Sequence, residues 1–213
     1  MDTSFLEMLK NGGIVIYVLL GCSVISVAVI IERLKVFYGI RAKVLERVKT
    51  RVRSLILEGK ISDAVAFCDS FRVRWFFFKV YCPLTTVLKT VIYSHSMNKE
   101  SLTDLANRTV DKELVGLEKN LGIVGTIGNT SLYIGLFGTV LGIINAFRAL
   151  SEHSAMGPSV VSKGISEALI NTAAGLFVAV ISVVFYNYFM RSVREVTVYL
   201  DDAASEFIDL IKK

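Results

Sequence analysis

Four side chains in an otherwise charge-free setting could handle an ion: Thr139, Thr172, Asn171 and Glu167. A threonine hydroxyl donates one hydrogen bond and accepts others, so it can hold a water or tune a neighbouring carboxyl. It cannot store a proton at ordinary pH. The carboxylate of Glu167 can, and Asn171 follows it one helical turn on. Each residue also has a plainer reading. A lone hydroxyl in an apolar helix commonly bonds the carbonyl four residues back. Glu167 lies near a predicted helix start, where the dipole favours negative charge.

These residues must be positioned by helices that cross a membrane. Of 213 residues 53% are hydrophobic, mean hydropathy is +0.57, and only two are proline. Three windows lack any charge: Asn11 to Ile31, Asn120 to Phe147 and Ala168 to Met190, of 21, 28 and 23 residues. A hydrocarbon core needs about 20 helical residues. The predicted fold is therefore all-α, a polytopic membrane protein with three transmembrane helices and long cytoplasmic helical extensions. The leading segment MDTSFLEMLK carries two acids and one lysine. That pattern favours a retained first span over a cleaved signal.

Basic residues set the expected orientation. Between Glu32 and Lys119 there are 17 Lys and Arg against 10 Asp and Glu, and the tail from Arg191 adds four more bases. By the positive-inside bias these parts face the cytoplasm. The expected division is an outward N-terminus with the first span (1–31), a cytoplasmic helical region (32–119), the second span (120–147), an outward loop (148–167), the third span (168–190) and a cytoplasmic C-terminal helix (191–213). Topology accounts for the net charge of +5, and no nucleic acid is called for. No metal or other cofactor is expected. Cys22, Cys68 and Cys82 form no C-x-x-C pair, and His95 and His153 fall in different compartments. Without a nucleophile, base and metal set in one compartment, an enzyme is not expected either.

Along the chain, apolar residues recur at helical spacing from Leu34 to Ile56, which predicts that the first span continues as one long helix to Gly59. KISDAVAFCDS predicts a short amphipathic helix with Ser62 as N-cap. FRVRWFFFKVY, with Trp75 and Phe76 to Phe78, reads as an interfacial foot or part of a small helical core. From Ser101 a charged helix leads without proline into the second span, as a rod. No strand pattern is apparent.

Small residues organise the inner spans. Gly125, Gly128, Ser131, Gly135, Gly138, Gly142 and Asn145 recur at three- and four-residue steps, which keeps them on one helical face. In the third span Gly164, Ala168, Asn171, Gly175, Ala179 and Ser182 do the same, opposite Leu169, Phe177, Val180 and Val184. Such faces let helices approach closely, and this offsets the poor helix propensity of glycine. Gly128, Gly135, Gly138, Gly142 and Gly175 are the predicted packing positions. The first span, rich in Val and Ile, reads as an outer layer around these two. No span contains Asp, Glu, His, Lys or Arg between its charged borders. A proton path through them would need a carboxylate from another chain.

The runs YIGLFGTVLGIINAF and GISEALINTAAGLFVAV, with three spans and the segment GKISDAVAFC, resemble the ExbB/TolQ branch of the MotA/TolQ/ExbB proton-channel family. The resemblance implies an inner-membrane homopentamer around two copies of an ExbD/TolR-like single-span partner, whose membrane aspartate carries protons. It also implies work done on a TonB- or TolA-like protein, in contact with membrane lipid. Thr139 and Thr172 would be the pore hydroxyls, Glu167 the carboxylate near the mouth, with Asn171 beside it. Where the family has Ala-Pro before this second-span run, Ser131-Leu132 stands here, so no proline kink is expected. Proton or sodium as coupling ion, a Tol-type envelope-maintenance or motility motor, and a scaffold that conducts nothing, remain open alternatives.

Overall fold

The computed structural model describes residues 13–71, 73–75, 78–80, 82–152 and 158–212. Seven helices account for nearly all of them: α1 (Gly13–Gly39), α2 (Ala42–Leu57), α3 (Ile61–Ser70), α4 (Pro83–Tyr93), α5 (Lys99–Glu118), α6 (Leu121–Glu152) and α7 (Pro158–Ile211). One antiparallel pair of three-residue strands, β1 (Val73–Trp75) and β2 (Phe78–Val80), joins α3 to α4, with Val73 opposite Val80. The sequence reading saw no strand here; β-branched and aromatic residues in FRVRWFFFKVY suit a hairpin locally. Whether these aromatics form an interfacial foot lies outside the described side chains.

The chain divides into two compact units, and α1 and α7 contribute to both. The first comprises residues up to Ile30 together with Asn120–Asn187. It holds the apolar stretches of α1, α6 and α7, which among the described residues are the three helices long and apolar enough to cross a membrane. The protein is thus an α-helical, multi-pass membrane protein. Lipid supplies no hydrophobic drive for helices to associate, so close van der Waals packing must hold this unit together. Much of its outward surface is apolar: Ile14, Tyr17 and Val24 on α1, Tyr133 and Phe137 on α6, and Leu169, Phe177, Val180 and Val184 on α7 are exposed, while α6 also exposes Thr126, Asn129 and Thr130.

The second unit comprises Ile31–Lys119 with Tyr188–Lys213. Its core is built on the apolar stripes of α2, α4, α5 and the end of α7, with Val48, Leu88, Leu102 and Phe207 fully buried. Phe37 stacks on Phe189 with ring centroids 5.5 Å apart. Around the core run ion pairs: Lys49 with Glu206 at 2.7 Å and Asp202 at 3.3 Å, Lys99 with Asp209 at 2.7 Å, and Lys89 with Asp69. Cys68 and Cys82 are buried, and burial pushes their thiols up to about 12 and about 11 respectively, which keeps them protonated and unreactive. His95 is exposed, as expected, while His153 lies outside the described residues.

Several boundaries differ from the sequence reading. The first long helix is interrupted at Ile40–Arg41, where Arg41 takes an extended ψ of 150° and lays its guanidinium 3.6 Å from the Tyr38 ring centroid. The helix then restarts and stops before Gly59, whose φ of +73° ends it as anticipated. Ser62 is not a cap, because α3 starts at Ile61 with Lys60 at the N-cap. Helix α5 starts earlier than Ser101: the Asn98 side chain accepts from the Ser101 N–H at 2.8 Å and caps Lys99 onward.

The expected rod from α5 into the second span is also broken. Lys119 leaves helical geometry and Asn120 takes φ +63°, a conformation asparagine tolerates better than most residues. Arg33, only 4% exposed, donates to the Leu117 carbonyl at 3.2 Å and to Glu32 at 3.1 Å. It occupies one of the orphan carbonyls that every helix end leaves. Helix α6 itself runs unbroken past Ser131, consistent with the missing proline.

Candidate functional site

The seam between α6 and α7 is where the small faces meet. A Cβ on Gly135 would lie 2.8 Å from the Asn171 carbonyl oxygen, and one on Gly175 would lie 2.6 Å from that of Ser131. Gly142 and Gly164 approach Ala168 and Ala146 equally closely, with 2.6 Å between Cβ positions. Gly128 meets Val183 and Ser182, and Gly125 meets the Tyr186 ring. All five predicted packing positions therefore serve a contact within one chain. The tightest backbone approach falls at Gly135 and Gly175, whereas Gly138 makes room for the Asn171 side chain and for Val15 of α1. Ser26 of α1 hydrogen-bonds Ser182 at 2.7 Å, so α1 is tied to the seam by a buried polar contact.

This close approach brings Thr139 and Thr172 into direct hydroxyl–hydroxyl contact across the seam. Both hydroxyls lie 3.2 Å from the Gly135 carbonyl, and Thr139 is also 3.3 Å from the Ala168 carbonyl. Two hydroxyl protons thus have two carbonyls and each other as acceptors, and every proton can be satisfied inside the chain. What remains available is lone pairs. The pair is ready to accept from a protonated carboxyl or a water, and it can donate outward only by giving up an internal bond. The plainer reading applies to Thr139, which bonds the Gly135 carbonyl four residues back, whereas Thr172 reaches that same carbonyl across the seam.

Glu167 and Asn171 sit on the same helix. Glu167 lies more than two turns inside α7, which starts at Pro158, so the dipole argument for it lapses. Its charge is instead met by Lys163, 3.9 Å away at i,i+4 spacing. Asn171 is buried against Gly138, and its Oδ1 has no hydrogen-bond partner. Glu167, Asn171, Lys163 and Asn145 line one cavity of about 390 Å³. The sequence reading placed Asn145 on the small-residue face and gave Lys163 no role; the Lys163–Glu167 spacing was the available signal. Among the described residues no group of His, Cys, Asp and Glu is placed to hold a metal ion.

Comparison with known proteins carries these features further. Residues 81–202 match the MotA/TolQ/ExbB proton channel family. The chain is 36% identical over 115 residues to the biopolymer transport protein ExbB of Pseudomonas putida, covering 54% of this chain and 35% of that protein. It is 48% identical over 80 residues to the Tol-Pal system protein TolQ of Pseudomonas aeruginosa, covering 38% and 35%. A putative ExbB homolog of Methanothermobacter thermautotrophicus aligns over 208 residues at 26% identity, covering 98% of this chain and 68% of the relative. The chain spans about a third of the length of the first two relatives. With a family match covering more than half of its residues, including both threonines and the seam that joins them, this chain belongs to the MotA/TolQ/ExbB proton channel family, on its ExbB/TolQ branch.

Proposed function

We propose that this chain is the ion-conducting stator subunit of a motor complex in a bacterial inner membrane, turning proton motive force into mechanical work on a TonB- or TolA-like protein. The observation that carries the reading is the Thr139–Thr172 hydroxyl pair, held at a glycine-tight seam in a span with no ionisable side chain of its own. Such a pair has lone pairs to offer a protonated carboxyl and, at the expense of one internal bond, a proton for the ionised form. It fits an aspartate supplied by an ExbD/TolR-like single-span partner. Five copies around two partner helices would present several nearly equivalent dockings. One charge moved through the membrane potential is worth about 2.3 kcal/mol per 100 mV, enough to bias the choice among them.

The topology follows the positive-inside rule, with residues 32–119 and 191–213 in the cytoplasm and 148–167 outside. The energised work supports import across the outer membrane in the ExbB-type role and envelope maintenance in the TolQ-type role. The outer partner that co-purifies decides between them.

The test uses the full chain co-expressed with its single-span partner. Native mass spectrometry is expected to give five copies to two for wild type and for Thr172→Val alike, with ion-driven activity lost in the variant. A scaffold predicts unchanged activity in Thr172→Val, and that result would overturn the motor reading.

A further inference from the structure

A second pocket lies within the second unit, lined by the end of α1, the start of α2 and the middle of α7. Its volume is about 270 Å³. Leu34, Phe37, Ile40, Leu45 and Val196 make part of the lining apolar, while Tyr38, Arg41, Tyr188, Ser192 and Glu195 add a polar set. Tyr38, Arg41, Tyr188 and Glu195 are exposed, so an occupant can reach them. The charge-free windows of the first and third spans end at Ile31 and Met190, and the lining residues run from Leu34 to Leu45 and from Tyr188 to Tyr199. The pocket therefore sits at the polar end of two spans, at the level of lipid headgroups, where tyrosine is favoured. Ile31 and Leu34 are exposed and offer an apolar track beside it. Pockets that enclose a whole small ligand measure about 300–1,000 Å³, so this one suits a headgroup whose tails lie outside.

The charges of the rim select the headgroup. Arg41 lies with its guanidinium 3.6 Å from the Tyr38 ring centroid, and stacking engages the face of that group while leaving its in-plane N–H donors available to a phosphate. Arg41 is also the N-cap of α2 and makes no side-chain cap, so the first amides of α2, with Ala42 in the lining, add to the positive end. Glu195 is paired with Arg191 at 3.1 Å, an exposed i,i+4 contact that holds only weakly. A purely anionic headgroup would suit Arg41 and be repelled by Glu195, whereas one carrying both charges suits both. We propose that this pocket binds a phospholipid with a phosphodiester and a primary amine, phosphatidylethanolamine. Its phosphate lies on Arg41, its ammonium on Glu195 and its acyl chains along Ile31 and Leu34. The assignment stands on the membrane-spanning character of α1 and α7 and requires no ion conduction.

The test takes the full chain in mild detergent with equal amounts of dioleoyl phosphatidylethanolamine, phosphatidylcholine and phosphatidylglycerol, and reads the retained lipid by native mass spectrometry. Phosphatidylcholine has the same phosphate but no N–H on its quaternary nitrogen, and phosphatidylglycerol brings no cation for Glu195. Wild type is expected to retain phosphatidylethanolamine about tenfold over either competitor, the worth of one charge-assisted hydrogen bond. Arg41→Gln should lower that retention by about the same factor. Arg41→Lys, which keeps the charge without the planar fork, should fall between the two at unchanged helical content, and so separates lost binding from misfolding. Glu195→Gln should turn the preference toward phosphatidylglycerol. Equal retention of the three lipids, a wild-type preference for phosphatidylglycerol, or unchanged retention in Arg41→Gln overturns the proposal. Thr172→Val should leave the ratios as they are in wild type, so this assignment and the motor reading fail separately.

Discussion

At the scale of single residues, glycines of this chain divide by what a methyl group would meet. At Gly175 a Cβ would sit 2.6 Å from the Ser131 carbonyl oxygen and 2.9 Å from the Gly135 Cα, both backbone atoms that cannot rotate away. Gly175→Ala should therefore destabilise by about 1–3 kcal/mol, the usual range for overpacking. Gly116 in α5 meets nothing within 4 Å, so Gly116→Ala should stabilise by about 0.5–1 kcal/mol through helix propensity. Opposite shifts of the melting temperature in one detergent check both. Lys49 offers a pH test. The hydrogen bond that Lys49 donates to Glu206 raises its pKa above the ordinary lysine value, burial opposes this, and Asp202 adds to the rise. A raised folded-state pKa gives stability that is complete below the unfolded value of about 10.5 and is lost as pH climbs through the folded one. Lys49→Met should flatten the fall in stability above that pH, by no more than about 1 kcal/mol for so peripheral a pair. An unchanged alkaline slope counts against the contact. The positions of Thr139 and Thr172 within two small-residue faces were legible from sequence, whereas their mutual contact is shown only by the packed structure. The bare Asn171 oxygen was not, since only the packed structure shows which partners a buried amide lacks.

At the scale of elements, the helical content, the three spans and the facing glycine stripes were readable, because each rests on a period of three to four residues sustained over many turns. The interruptions were not. At Ile40–Arg41 the available signal was Gly39, the last residue of α1, which the continuing apolar period masked, and Asn120 adopts a left-handed φ that asparagine permits without requiring. The hairpin between α3 and α4 consists of two three-residue strands, too short for an alternating pattern to stand out. Arg33 is the clearest case of tertiary context deciding. It follows an apolar span and reads as a boundary charge, yet it is buried with its guanidinium on the last turn of α5. Arg33→Met should leave that carbonyl without its charged donor, at a cost of about 1–3 kcal/mol. Hydrogen exchange should then quicken at amides near residues 113–118 while α2 stays protected. Equal exchange in wild type and variant would make the contact incidental.

At the scale of the whole molecule, the small-residue faces that suggested a layer in a larger assembly are already occupied by one another. What α1, α6 and α7 leave exposed is largely bulky and apolar, with Val, Leu, Tyr and Phe prominent, and α6 also exposes Thr126, Asn129 and Thr130. The self-contained seam has a consequence for heredity. A suppressor mutation works by shrinking the neighbour that a first mutation strikes, which requires that the neighbour be a side chain. Gly164→Ala strikes the methyl group of Ala146, so Ala146→Gly is an available rescue and should emerge from a genetic selection. Gly175→Ala strikes main chain, and no second codon change can remove a carbonyl oxygen. Over evolutionary time the first pair is free to drift together while Gly175 is frozen, so constancy at that position would record how closely two backbones lie and not what passes between them.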